Sequence, residues 1–230
     1  MNQMIIGLFC LMLLTTDQFN QDVRPKDIDP EYLPDVPAFQ DEATREFLVS
    51  TEEVEPGFYL MESRLEGYQM MFPENGVFSV DFSSISDQNV ETFTFKDTSM
   101  DKDIHVSGQV RYHRNQSYLA NIDFMLNSVK GRNGYEGKFE KSSTEDKDIY
   151  HGEELLTVEA GDNISDVYRY VGYIESKEND FLAIDYNFSI FCFNDKEEVC
   201  LSGVNAKKDQ VEKMIDSISF INQEEAERNE

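Results

Sequence analysis

Two of the three cysteines are spaced so that they could form a disulfide. Cys192 and Cys200 flank a polar stretch, and a three-residue loop at Asp195–Glu197 would place them opposite each other across a hairpin. Directly opposed Cβ atoms lie about 4.5–5.5 Å apart, close to the range of a disulfide. In an oxidising compartment this spacing predicts the bond. Two reduced thiols are the alternative, and a metal pair is disfavoured because no histidine lies nearby in sequence.

The histidines, His105, His113 and His151, offer little metal chemistry. His105 and His113 would share one face of a strand, but the strand between them spans about 26 Å, too far for a common metal. Asp101, Asp103 and His105 could ligate a hard cation, yet the segment lacks the glycine and the distal glutamate of an EF-hand loop. A solvated acidic turn is favoured, and the sequence predicts no metal or cofactor.

Motifs of the common enzyme classes are absent from the sequence. It contains no GxSxG elbow, HExxH helix, P-loop or GxGxxG turn. Paired carboxylates carry no weight in so acidic a chain. Motif-based enzyme classes are therefore mostly excluded, no catalytic residue is predicted, and an enzyme with a dispersed site stays open.

Charge limits the partners. The chain of 230 residues carries 46 acidic against 20 basic side chains, a formal net charge of -26. Such a surface repels nucleic acid and anionic headgroups and attracts cations or basic peptides. The favoured interpretation is that the charge keeps an exported monomer soluble. A dedicated role in binding is the alternative.

The N-terminal residues 1–16 resemble an export signal. Met4–Leu14 is an apolar run of eleven residues, too short to span a bilayer but suited to the core of a signal. No basic residue precedes it, since the first one is Arg24. Cys10 lacks the small preceding residue of a lipobox, because Phe9 stands there and the apolar run continues after it. The run predicts an exported protein, tethered to the membrane or secreted, and disfavours lipidation of Cys10.

Downstream, the composition predicts three regions. Residues 17–43 are acidic and contain four prolines, which is typical of an extended linker. Residues 44–222 hold the aromatic and aliphatic side chains of a single domain, and residues 223–230 form an acidic tail.

Periodicity within the domain predicts strands first, then a helix. Strands are expected at Phe58–Glu62, Tyr68–Phe72, Val90–Phe95 and Ile104–His113. Asn115 would cap a helix over Gln116–Val129, which Gly131 would end.

The clearest strand pair is Val167–Glu175 with Phe181–Phe193, where apolar residues alternate in the second strand. Val199–Val204 would continue the sheet, and Asn205 would cap a final helix. That helix carries an apolar stripe. The order predicts an α+β domain, with a mainly antiparallel sheet covered by helices.

Two stretches resemble PsbP/Mog1-like domains, an architecture common among small exported lipoproteins of Gram-positive bacteria. Gly67–Pro73 (GYQMMFP) looks like the early strand that ends in Phe-Pro. Val211–Phe220 (VEKMIDSISF) is similar to the closing helix that runs into a Ser-Ile-x-Phe strand. The whole chain looks like exported lipoproteins of the Bacillus type, from which it departs in the missing lipobox. The resemblance implies an adaptor or assembly protein and assigns no site residues.

Three functions therefore compete. The leading hypothesis is an exported cell-envelope protein that binds a protein or an envelope component without catalysis. The second is an envelope enzyme, or an enzyme inhibitor, with a dispersed site. The third is an acidic protein that binds a cation or another small ligand.

Overall fold

The computed structural model describes residues 23–98, 103–160, 163–193 and 197–221. Its twelve strands form two sheets, and every strand pairing is antiparallel. The strands are β1 (Leu48–Glu55), β2 (Phe58–Glu62), β3 (Tyr68–Pro73), β4 (Gly76–Phe78), β5 (Ser84–Ser86), β6 (Val90–Asp97), β7 (Ile104–Arg114), β8 (Glu140–Ser143), β9 (Lys147–Ala160), β10 (Asn163–Ser176), β11 (Leu182–Cys192) and β12 (Ser219–Phe220).

The described residues also form four α-helices: α1 (Pro37–Gln40), α2 (Glu42–Arg45), α3 (Ile122–Asn133) and α4 (Glu197–Asp216). Short 3-10 turns lie at Pro25–Asp27, Pro30–Tyr32, Val80–Phe82 and Ser117–Ala120. None of the helices in the described ranges is long and apolar enough to cross a membrane. The predicted α+β class is confirmed.

The small sheet has the order β1-β2-β3-β12, and the large sheet has the order β4-β6-β7-β11-β10-β9-β8, with β5 also paired to β6. The main core includes the inner aromatic side chains of β6 and β11 and the apolar stripe of α4. The side of the large sheet that contributes to this core is called the α4 face below. The opposite side, against which α3 packs, is called the α3 face.

Alternation in β11 explains this two-sided arrangement. Its even-numbered residues from Ile184 to Cys192 are buried in the main core, as the sequence predicted for this strand. The stripe on the last helix is also confirmed, with Val211, Met214, Ile215 and Ile218 all buried. Both patterns follow from the side-chain periods of strand and helix.

The prediction of a linker at residues 17–43 needs a correction, because the second half of this segment belongs to the folded domain. Leu33 and Phe39 are buried in the main core, and the Ala38 amide donates to the Glu74 carbonyl (2.9 Å). Prolines begin three of the short helical turns, where the missing amide hydrogen costs nothing. The prolines therefore start turns here.

The predicted strand at Val199–Val204 is also wrong, because these residues lie inside α4, and Asn205 is therefore no cap. Cys200 and Val204 are one helical turn apart and continue the buried stripe of the helix. Gly203 allows close packing, since a Cβ there would come within 2.6 Å of Ile104 Cγ1. A short apolar run fits both periods, and the packing against β7 selects the helix.

Helix α3 begins later than predicted. Asn121 is the N-cap, with its side chain accepting from the Phe124 amide (3.0 Å). The helix passes Gly131 and ends at Gly134, which adopts φ +59°. The preceding turn Ser117–Ala120 is a separate 3-10 element, and it positions Tyr118 beside the sheet.

Candidate functional site on the α3 face

Strand register determines which side chains share the α3 face. Arg111 of β7 lies opposite Asp185 of β11, and His113 lies opposite Ala183. Helix α3 packs Met125 and Val129 over one end of this face, in a small second core. The rest of the face, on β6, β7 and β11, carries polar side chains.

A hydrogen-bonded network lies beside α3, formed by Tyr118, His113, Asp185 and Arg132. It is called the Asp185 network below. His113 Nε2 lies 2.7 Å from Asp185 Oδ2, and Arg132 Nη2 donates to the same oxygen (2.8 Å). His113 Nδ1 lies 3.2 Å from the Tyr118 hydroxyl. Residues separated by 72 positions in the chain thus meet through the pairing of β7 with β11.

Charge pairing makes the buried carboxylate tolerable. Asp185 and His113 are 5 % and 4 % exposed. A carboxylate removed from water needs charged or hydrogen-bonding partners, and Arg132 with His113 supplies them. If the imidazole is neutral, Nε2–H donates to Asp185 and Nδ1 accepts from the Tyr118 hydroxyl. Burial, followed by the charge of Asp185, raises the pKa of Tyr118.

Arg111 differs from the other arginines of this face. Its Nε donates to Thr92 Oγ1 (3.2 Å). Within the described ranges, no carboxylate forms an ion pair with Arg111, whereas Arg132 pairs with Asp185 and Arg169 with Glu154. The guanidinium is half-buried and keeps most of its five N–H donors available.

A row of uncharged polar side chains continues from Arg111 across the open part of the face. Gln109 donates from Nε2 to Thr94 Oγ1 (3.1 Å), and Asn187 donates from Nδ2 to Asn133 Oδ1 (2.8 Å). Ser189 donates to Asn187 Oδ1 (3.3 Å). These bonds hold the amides in fixed orientations.

A second polar cleft lies on the α4 face, around His151. His151 Nδ1 lies 2.8 Å from the Tyr186 hydroxyl, and Nε2 lies 3.2 Å from Glu153 Oε1. Burial is the main cause that raises the pKa of Tyr186. Other acidic side chains line the cleft: Glu140, Glu212 and Asp216. Across the part of the chain that the structure describes, no group of three or more histidine, cysteine or acidic residues could hold a metal ion.

The residues predicted from sequence lie apart from the Asp185 network, except for His113. Cys192 and Cys200 form a disulfide with Cα atoms 5.6 Å apart. It joins the end of β11 to α4, so the predicted hairpin between two strands is wrong. His105 is exposed, and its ring packs against Phe193 at a centroid distance of 5.3 Å. Cys10 and Asp101 lie outside the described residues.

Sequence reasoning missed Asp185, Arg132 and Tyr118. The sequence contains one signal for Asp185, because it is an acidic residue within the apolar strand Leu182–Cys192. A charge inside such a run requires a partner when the strand is buried on both sides. The identity of the partners depends on strand register, which the local pattern does not contain.

The fold and this face define an α+β protein with mostly antiparallel sheets of the PsbP/Mog1-like type. Over residues 34–219 the chain matches the family described as "Putative lipoprotein YvcA". A Bacillus subtilis (strain 168) protein of that description is 40% identical over 214 residues, which cover 90% of this chain and 86% of the relative. The chain therefore belongs to this family. No solved structure matches it significantly.

Proposed function

We propose that this chain is an exported, envelope-associated binding or adaptor protein, and that the open part of the α3 face is its binding surface. The description of its family and relative as lipoproteins supports an address at the cell envelope. The apolar run Met4–Leu14 supports the same address.

The Asp185 network carries the argument for binding over catalysis. For His113 to act directly on a substrate as a general base, one of its ring nitrogens would have to reach the reacting proton. Both ring nitrogens of His113 already lie within hydrogen-bond distance of side chains, and the ring is almost fully buried. The network therefore fits the work of holding α3 and Tyr118 on the sheet, beside a row of oriented amides.

An envelope enzyme is the second candidate, favoured by one specific observation. Tyr118, His113 and Asp185 form a hydroxyl–imidazole–carboxylate chain, the arrangement that activates nucleophiles in several enzyme classes. The direction of the Tyr118 pKa argues against it, because a raised pKa disfavours the phenolate that would attack. A cation-binding role, the third hypothesis, has no metal-ligating cluster within the described ranges to support it.

Photocrosslinking in intact cells tests the binding surface. A photoreactive amino acid at Gln109 is expected to give a discrete adduct of higher mass, because Gln109 lies in the open part of the α3 face. The same amino acid at Asp209, exposed on α4, is the matched control. Equal adducts at both positions, or no adduct at Gln109, would contradict the proposal.

Fractionation and mass spectrometry of the mature N-terminus test the address. The expected result is envelope association with a processed or anchored N-terminus. Cys10→Ser tests whether the protein is anchored by a lipid on Cys10, since the substitution abolishes anchoring only if Cys10 carries the lipid. Recovery of an intact, unprocessed chain in the cytosol would overturn the envelope address.

A further inference from the structure

Part of the α3 face differs in charge from the chain as a whole. On β6, β7 and β11 the cations Lys96 and Arg111 lie on this face, and Arg132 joins them from α3. Asp185 is the one carboxylate that these three strands place there. This part of the face thus carries three cations and one carboxylate, in a chain whose net charge is -26. On the neighbouring strands β9 and β10 the face also carries Glu154, which pairs with Arg169, and Glu175. A local excess of positive charge on so acidic a protein requires an explanation.

Ion pairs within the Asp185 network do not explain this local excess of positive charge. Asp185 is engaged by Arg132 and His113, and Arg111 has its one hydrogen bond to Thr92 Oγ1. Arg111 is half-buried and forms no ion pair within the described ranges, so its guanidinium keeps N–H donors that a further acceptor can use. Such a group is suited to an anion that arrives from solution.

The two arginines converge on one point of the face. Arg111 lies directly opposite Asp185 in the pairing of β7 with β11, and Arg132 Nη2 donates to Asp185 Oδ2 (2.8 Å). Both charges also lower the pKa of Tyr118, against the larger effects of burial and Asp185. The side chain of Arg132 is 32% exposed, so part of its fork faces water. Two guanidinium groups present N–H donors at one place, and arginine forks bind the oxygens of a phosphate group bidentately.

We propose that Arg111 and Arg132, beside Tyr118 on the α3 face, form a binding site for a phosphate group. This inference rests on the proposed function, because it names the ligand chemistry of the same face. Lys96 lies four residues along β6 from Thr92, about 13 Å away, and extends the positive charge along the face. Gln109 and Asn187 supply amide donors between these charges.

Calorimetric titration of the full chain with inorganic phosphate at low ionic strength tests the site. Arg111→Gln should weaken binding by roughly tenfold, since a charge-assisted contact contributes about 1.5 kcal/mol or more. Lys208→Gln is the matched control, because it removes one positive charge on α4, where Lys208 lies over the Tyr168 ring. Equal weakening by both variants, or none by Arg111→Gln, would overturn the site.

NMR of the unaltered protein keeps the test valid if Arg111→Gln fails to fold. Phosphate should shift the side-chain amide signals of Gln109 and Asn187, which lie on the face. The amide of Gln210, beside Lys207 on α4, should not move. Shifts at Gln210 with none at Gln109 and Asn187 would contradict the proposal.

Vesicles distinguish a lipid headgroup from a soluble phosphate compound. If the ligand is a lipid headgroup, the full chain should bind phosphatidylglycerol vesicles more strongly than its Arg111→Gln variant does, with no such difference on phosphatidylcholine. If the ligand is a soluble phosphate compound, the full chain and its Arg111→Gln variant should differ in their binding of inorganic phosphate and not in their binding of vesicles.

The crosslinking result keeps this inference separate from the proposed function. An adduct at Gln109 without phosphate binding would refute the phosphate site alone. Phosphate binding without an adduct would refute the partner-binding surface alone.

Discussion

The two faces of β11 show how one strand can contribute to an apolar core on one side and to a polar network on the other. On the α4 face, Ile184, Tyr186, Phe188 and Ile190 are buried in a closed apolar core. On the α3 face, Asp185 and Asn187 make specific polar bonds to α3. Helix α3 covers only one end of that face, and the rest carries oriented polar groups. Apolar packing is therefore concentrated on one side of the sheet, and polar hydrogen bonding on the other.

Neighbouring residues of β9 repeat the contrast for charged groups. Lys147 is buried on the α4 side, where it donates to the Ile218 carbonyl, and burial is the main cause that lowers its pKa. Asp148 has its pKa lowered to about 2, chiefly by the hydrogen bond from Lys141. Burial penalises the first charge, whereas pairing stabilises the second.

The largest expected effect comes from truncation on the α4 face. Phe188→Ala should reduce the free energy of unfolding by about 3–5 kcal/mol, because a fully buried ring that packs near Phe95 and Tyr186 leaves a cavity. Asn187→Ala, the adjacent residue on the other face, should cost about 1 kcal/mol. Urea unfolding of both variants measures the difference. Similar losses would remove the distinction between the faces.

Loss of the disulfide should have the second-largest effect on the free energy of unfolding, since this bond also lies on the α4 side. The bond between Cys192 and Cys200 closes a loop with a sequence separation of 8. Reduction, or replacement of both residues by alanine, should lower the free energy of unfolding by about 2–3 kcal/mol by the chain-entropy estimate. Unfolding with and without reductant tests this. An unchanged midpoint, with alkylation of both thiols showing that the bond is reduced, would contradict it.

A smaller loss is expected in the Asp185 network. Asp185→Asn removes the carboxylate that Arg132 and His113 share, and should cost about 2 kcal/mol, because water can still reach the part-exposed Arg132. Asp209→Asn on exposed α4 is the control. A double-mutant cycle with Arg132→Gln should show coupling between the two positions. Strict additivity would mean that the pair does not act as a unit.

The smallest effect concerns pH. The folded pKa of Asp148, about 2, lies below the ordinary value of 3.8, so its ionised form stabilises the fold. This contribution is present above about pH 4 and is lost as the pH falls toward 2. The difference in stability between the unaltered chain and Asp148→Asn should shrink across that window. A difference that is constant from pH 6 to pH 2 would exclude the Lys141 pairing as its cause.

The local sequence pattern correctly predicted the elements in which apolar residues repeat at a constant spacing over many residues. The alternation of β11 and the stripe on α4 were both correct, because each records burial on one side of a regular element. The error at 199–204 arose where the apolar run was too short to separate the two periods. The prediction of a linker was wrong because prolines are common both in extended chains and at the first positions of helical turns.

Of the candidate site, the sequence alone indicated very little. His113 was considered for metal binding, and its actual partner Asp185 was not, because their contact depends on the register of β7 against β11. Arg132 reaches the same carboxylate from α3, which itself starts several residues later than its local pattern suggested.

The amino-acid sequence by itself determined the α+β class, the strand pattern of the domain and an overall negative charge, since these depend on composition and on periods of two and 3.6 residues. Only the tertiary structure decided which charges meet. Antiparallel pairing brought Arg111, His113 and Asp185 side by side, and the packing of α3 against one end of the face added Arg132. Net charge sums over the whole chain, whereas binding depends on the few groups that the fold brings to one place.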